Sequence, residues 1–108
     1  MTEAEEKRIR AELRAFLDEE MRLTAMPAKR KKQLFALYWI ADKLPAGGEW
    51  TERELNRTLN ALHTFGDPAW IRRELVDLGI LERDPYGKRY AVRSDRPHFE
   101  AFLSRGMH

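Results

Sequence analysis

Three groups of basic residues in this chain have the side chains that hold phosphate. Lys29, Arg30, Lys31 and Lys32 form an unbroken run, Arg72 and Arg73 follow Trp70 closely, and Lys88 and Arg89 precede the short run YAV. Lysine and arginine meet nucleic-acid backbones, and a tryptophan beside an arginine can stack on a sugar or base. Each group also has a plainer explanation. The run at 29–32 would open a helix, where positive charge opposes the dipole, so it does not serve helix stability. Phosphate or an acidic partner would account for it, and so would a solvated charge run. Arg72 and Arg73 would otherwise pair with nearby acids, with Trp70 packed beneath the N-terminal helix. Lys88, Arg89 and Arg93 would otherwise guard a strand edge against aggregation.

Catalytic chemistry finds little support. His63, His98 and His108 are scattered and lack metal-ligand spacing. The chain has no nucleophile motif, no glycine-rich phosphate loop and no HExxH. Glu52, Glu54 and Glu74 are accounted for by caps and surface pairs, and His63 by a capping or pairing role at a helix end. The expectation is therefore a non-enzyme without metal or cofactor.

Composition narrows the setting. A chain of 108 residues is one domain's worth, with 35% charged and 43% hydrophobic residues. There are no cysteines, so disulfides and thiolate zinc sites are excluded, and a reduced cytoplasmic location fits. No apolar run approaches the roughly 20 residues of a membrane span, and TEAEEKR is neither a signal nor a transit sequence. The pI of about 9.1 overstates the basic character, because 20 basic residues face 18 acids. Residues 1–28 hold seven acids and five bases, so the basic excess lies in the remainder.

The elements that must position these residues can be read from periodicity and caps. Thr2 and Glu5 have capping-box spacing, and Ile9, Leu13, Phe16, Leu17 and Met21 recur at helical steps. They predict an amphipathic helix over about 3–22, ending before Pro27. Its polar face is acidic, which anionic lipids would repel, so no membrane role is expected. Its apolar stripe would fold back on the domain or pair with a second copy, leaving a monomer or a homodimer. A second helix is predicted over about 28–43, with LFALYWIA apolar almost all round, as in a central buried helix. PAGG stops it, and Glu49 and Trp50 suit a very short strand.

Thr51 and Glu54 form a second capping box, and Leu55, Leu59 and Leu62 stripe a third helix. Asp67 caps a fourth helix, Pro68 takes its first turn, Ile71, Leu75 and Leu78 face inward, and Gly79 ends it. Residues 80–84 and 88–92 read as a hairpin around PYG. Residues 96–105 suit a last short helix, with Phe99, Phe102 and Leu103 on one side. The fourth helix, from Asp67 to Gly79, has three acids and two bases, whereas residues 80–93 have two acids and four bases.

Two patterns carry a resemblance. WIRRELVDLGILERDPYGKRY is similar to a stretch shared by many winged-helix regulators, here Ile71, Arg72, Arg73, Glu74, Leu75, Gly79, Ile80, Leu81, Arg83 and Tyr90. It departs from them in two ways. The span from Leu75 to Gly79 is shorter by about one helical turn, and Trp70 stands where a small hydroxyl residue usually touches phosphate. More closely, MPAKRKKQL, WTERELN, LHTFGD and RRELVDLGILERD together resemble the bacterial domain-of-unknown-function family two thousand and eighty-seven, from about Phe16 to Arg93. Its members occur alone or attached to transcriptional-regulator domains, which implies a role near transcription. The family brings no ligand or reaction with it.

The expected fold is thus mainly α with a small β-hairpin, a winged helix-turn-helix behind an N-terminal helical extension. Its parts would be residues 1–27, 28–95 and 96–108. The leading expectation is a nucleic-acid-binding or transcription-associated module, possessing DNA as partner. Lys29, Arg30, Lys31, Lys32, Arg72, Arg73, Lys88 and Arg89 would hold phosphates, and Trp70 would touch sugar or base. The rival is a protein-interaction module that presents Trp70 and the fourth helix to a protein partner.

Overall fold

Residues 1–86 and 88–107 are described by a computed structural model. Along the chain run helix α1 (Glu3–Glu12), a 3-10 turn (Arg14–Phe16), helix α2 (Arg30–Asp42), strand β1 (Glu49–Thr51), helices α3 (Glu52–Asn60) and α4 (Pro68–Asp77), strands β2 (Leu81–Arg83) and β3 (Arg89–Val92), and helix α5 (Phe99–Gly106). Among the described residues the architecture is five α-helices and one antiparallel sheet in the order β1-β3-β2. This is compatible with a winged-helix-like layout.

Local chemistry sets most of the boundaries. Thr2 and Glu5 exchange backbone and side-chain hydrogen bonds at the start of α1, and Thr51 and Glu54 do the same at α3. Each box satisfies two amides that a helix start otherwise leaves unpaired. The Thr51 amide chiefly holds the Glu54 carboxyl below the usual carboxylate range. Asp67 accepts from the Trp70 amide at 3.2 Å to open α4. At the other end Gly79 takes φ +82, and the amides of Gly79 and Ile80 bond back to Val76 and Leu75. Only glycine takes that left-handed turn without steric cost.

α2 is the centre of the core. Every residue from Leu34 to Ala41 is buried. Helix α1 folds back on it through Ile9 and Leu13, α4 meets it beside Ile71 and Leu75, and α5 covers it with Phe99, Phe102 and Leu103. Each such Leu, Ile or Phe side chain contributes about 1.5–3 kcal/mol when fully buried. In the sheet, Trp50, Tyr90 and Arg83 lie side by side across the three strands, as do Glu49, Ala91 and Glu82 in the next row. Tyr90 is buried while Glu49 and Glu82 are exposed, so these rows mark opposite faces. The wing turn contains Pro85 and Tyr86, while Gly87, the third residue of PYG, lies outside the described residues.

The N-terminal helix is shorter than the predicted 3–22. α1 stops at Glu12, and after the 3-10 turn the chain reverses between Leu17 and Leu23, with Met21 at φ +62. Asp18 is the cause. Its carboxylate accepts from the Glu20 and Arg22 amides, each at 2.9 Å, and from the Arg22 guanidinium at 2.9 Å. An aspartate that satisfies local amides this way competes with a continuing helix. Phe16, Leu17 and Met21 kept helical spacing but pack from a turn. Leu23 then fastens this turn to the α3–α4 connection through bonds to Leu62 and Thr64.

The Arg22 amide, then the Arg22 side chain and the Glu20 amide, hold the Asp18 carboxyl below the usual carboxylate range. A depressed folded-state value stabilises the fold above the unfolded carboxyl pKa, near 3.9, and that contribution is lost as pH falls through the folded value. Asp18→Asn is therefore expected to lower the urea midpoint at pH 7, with the gap closing towards pH 3. An equal gap at both pH values would refute this role for the charge.

Candidate nucleic-acid interface

Helix α4 and the wing face each other across a groove of about 270 Å3. Tyr90 forms part of its lining, held by β3 and backed by the register that sets Arg83 opposite it. The Arg72 and Arg83 guanidinium carbons lie 5.5 and 5.8 Å from the Tyr90 ring centroid, within cation–π range. The Tyr90 hydroxyl donates to Glu52 at 3.4 Å. Arg72 also reaches Glu52, at 3.5 Å, and donates to Asn56. Arg72 is therefore a structural brace between α3, α4 and β3, and its side chain is only 16% exposed.

Arg73 and Arg83 differ from Arg72. Both are exposed and both line the groove. Among the described residues neither has a carboxylate within 4.0 Å. Lys88 and Arg89 are exposed on the wing, with Lys88 at φ +59 and Arg89 on the opposite face of the sheet from Tyr90, beside Glu49 and Glu82. Arg93 is tied elsewhere, through two bonds of 2.9 and 3.1 Å to Asp95. That same pair holds the Asp95 carboxyl below its ordinary range. Acids share the neighbourhood: Glu52 and Asp77 line the groove, and Glu49 and Glu82 stand on the sheet's other face.

The run from Lys29 to Lys32 does not act as one patch. Arg30 turns inward, pairing with Glu74 and donating to the Gly106 carbonyl at 3.2 Å. On the α4 wheel Glu74 lies well over 100° from the groove's centre near Ala69 and Val76. The pair therefore fixes the start of α2 on the flank of α4 turned away from the wing. Lys29 and Lys31 remain exposed there, and Lys32 is half-buried. Trp70 is half-buried against the core and is absent from the groove lining.

The site residues named from sequence thus divide. Arg72 and Arg73 line the groove. Lys88 is exposed on the wing turn and Arg89 lies on the sheet's other face with Glu49 and Glu82, whereas Lys29, Arg30, Lys31, Lys32 and Trp70 lie away from the groove. Arg83, Glu52 and Asn56 were missing from that set. Arg83 was legible in principle, because a hairpin pairing Leu81 with Val92 also pairs Arg83 with Tyr90. Glu52 and Asn56 carried no such signal, because their partners come from α4 and the wing.

His63 does cap, and it bridges two helices. Its Nδ1 donates to the Leu59 carbonyl at 2.7 Å and its Nε2 accepts from the Asp67 amide at 3.0 Å. Carbonyls only accept and amides only donate, so these partners fix the tautomer. Among the described residues no cluster of three or more His, Asp or Glu is placed to hold a metal ion, and no helix is long and apolar enough to cross a membrane. His108 lies outside the described residues.

Neither a curated protein nor a solved structure matches the chain. Residues 22–92, from the Asp18 turn through β3, match a family described as "Uncharacterized protein conserved in bacteria (DUF2087)". That span is more than half of the chain and holds both sides of the groove, so the chain belongs to this bacterial family.

Proposed function

We propose that this chain is a nucleic-acid-binding module on a winged helix-turn-helix layout, with α3 and α4 as the helix pair and β2–β3 as the wing. The order α2, β1, α3, α4, β2, β3 and the strand order β1-β3-β2 support that layout. The observation that carries the binding proposal is the pair Arg73 and Arg83, which line one groove without carboxylate partners among the described residues. Lys88 is exposed on the same wing, and Arg89 adds positive charge from the sheet's other face, beside Glu49 and Glu82. Helix α4 itself has as many acids as bases between Pro68 and Asp77. Contact is therefore assigned to phosphates rather than to base edges, which favours weak dependence on sequence. A place near transcription follows as part of the same proposal.

The test is fluorescence anisotropy of the full chain with a mixed-sequence DNA duplex at about 50 and 200 mM salt. Neutralising about four phosphates predicts a loss of affinity of roughly 100-fold between these conditions. No binding at the lower salt overturns the proposal. One observation favours a protein partner instead: Arg30 and Arg72 spend their charge inside the fold, and Glu52 and Asp77 share the groove. A protein interface of mostly apolar character would show little salt dependence.

A further inference from the structure

Tyr86, at the apex of the wing, is 95% exposed, whereas every other aromatic side chain is buried or half-buried. The turn that presents it is held in place. The Tyr86 amide donates to the Asp84 carboxylate at 2.8 Å, and the Asp84 amide donates to the Arg89 carbonyl at 2.8 Å. Pro85 fixes the backbone angle immediately before the ring. Arg83, Lys88 and Arg89 flank it, and the one acid between them, Asp84, is occupied by the Tyr86 amide.

A phenol ring gains nothing from phosphate charge. It gains by laying its face on another planar group. Bases inside a closed duplex already have both faces stacked, and a blunt end has no backbone beyond its last pair. A ring carried on a turn between cations therefore finds a free face with phosphate on both sides only at an unpaired base. The cations beside it would hold the phosphates that flank such a base. We infer that Tyr86 is a stacking platform for an unpaired base, and that the preferred ligand is a duplex bordered by single strand. This rests on the nucleic-acid proposal above and adds the class of nucleic acid to it.

The experiment compares a blunt DNA duplex with the same duplex carrying a short single-stranded extension, with 2-aminopurine as the first unpaired base. Wild-type chain is expected to bind the extended duplex about tenfold more tightly and to quench the 2-aminopurine. Tyr86→Ala is expected to erase both the preference and the quenching while leaving blunt-duplex binding unchanged. Tyr86→Phe keeps both, because the ring and not the hydroxyl is used. An extension preference that survives Tyr86→Ala, or equal affinity of the wild type for the two duplexes, overturns the inference and leaves the nucleic-acid proposal standing. Failure of both duplexes to bind at about 50 mM salt removes the two together, and Tyr86 would then be sought as an anchor for a protein partner.

Discussion

Phe102→Ala is expected to destabilise the fold by about 3–5 kcal/mol, the usual range for deleting a fully buried phenyl group. Phe102 is fully buried on α5, with its ring centroid 5.2 Å from that of Tyr38 on α2. Tyr38 also meets Phe99 at 5.1 Å, and Phe99 stacks on Phe35 at 5.7 Å. These four rings form one packed cluster between α2 and α5, so the hole left by alanine has few neighbours free to fill it. Folded domains are held by only about 5–15 kcal/mol in total, so the loss is a large share of stability. Urea unfolding of the variant should show a lower midpoint with an unchanged slope. Met107→Ala, at a 55% exposed side chain one residue beyond α5, should stay within about 0.5 kcal/mol of the wild type. A Phe102→Ala loss below about 1 kcal/mol would mean that α5 is dispensable to the core. α5 lies beyond the family match, which ends at residue 92, as does α1 on the other side. Both nonetheless cover the central helix of the matched segment.

The parts of this fold legible in the sequence are those fixed by neighbours along the chain. Thr2 with Glu5, Thr51 with Glu54, Asp67 with Pro68, and Gly79 each act within a few residues, and each stands where its chemistry put it. α2 announced its central place by being apolar on every side. The N-terminal segment misled because Phe16, Leu17 and Met21 satisfied helical spacing, while the decisive group was Asp18, whose local bonds outweigh periodicity. The candidate site was harder to read for a different reason. Arg30 and Arg72 look like free cations in the sequence. Their partners lie 44 and 16 positions away, at Glu74 and Asn56, and only the packing of α4 against α2 and α3 brings them together. Charge type is a property of the residue, whereas charge availability is a property of the fold.

That distinction sets the second large effect. Arg73→Glu/Arg83→Glu is expected to lower duplex affinity by about 100-fold or more at 50 mM salt, because each reversal removes a phosphate contact and adds a repulsion. Stability should fall less than in Arg72→Gln, since both side chains are exposed and neither has a carboxylate partner among the described residues, although the Arg83 change also removes a cation from the Tyr90 ring. Arg72→Gln should behave in the opposite way. It removes the ion pair with Glu52 and the cation over Tyr90, so the urea midpoint should fall, while the affinity of the molecules that remain folded should change only a few-fold. Arg30→Gln should likewise reduce stability and spare binding, because it leaves Glu74 and the Gly106 carbonyl without their donor on the flank away from the wing. The three variants therefore separate cations that brace the fold from cations that face outward. If Arg72→Gln weakened binding more than the double reversal did, the groove would not be the phosphate-binding surface. The contact would then have to lie where Arg72 is withdrawn for a ligand at the expense of Glu52 and Asn56.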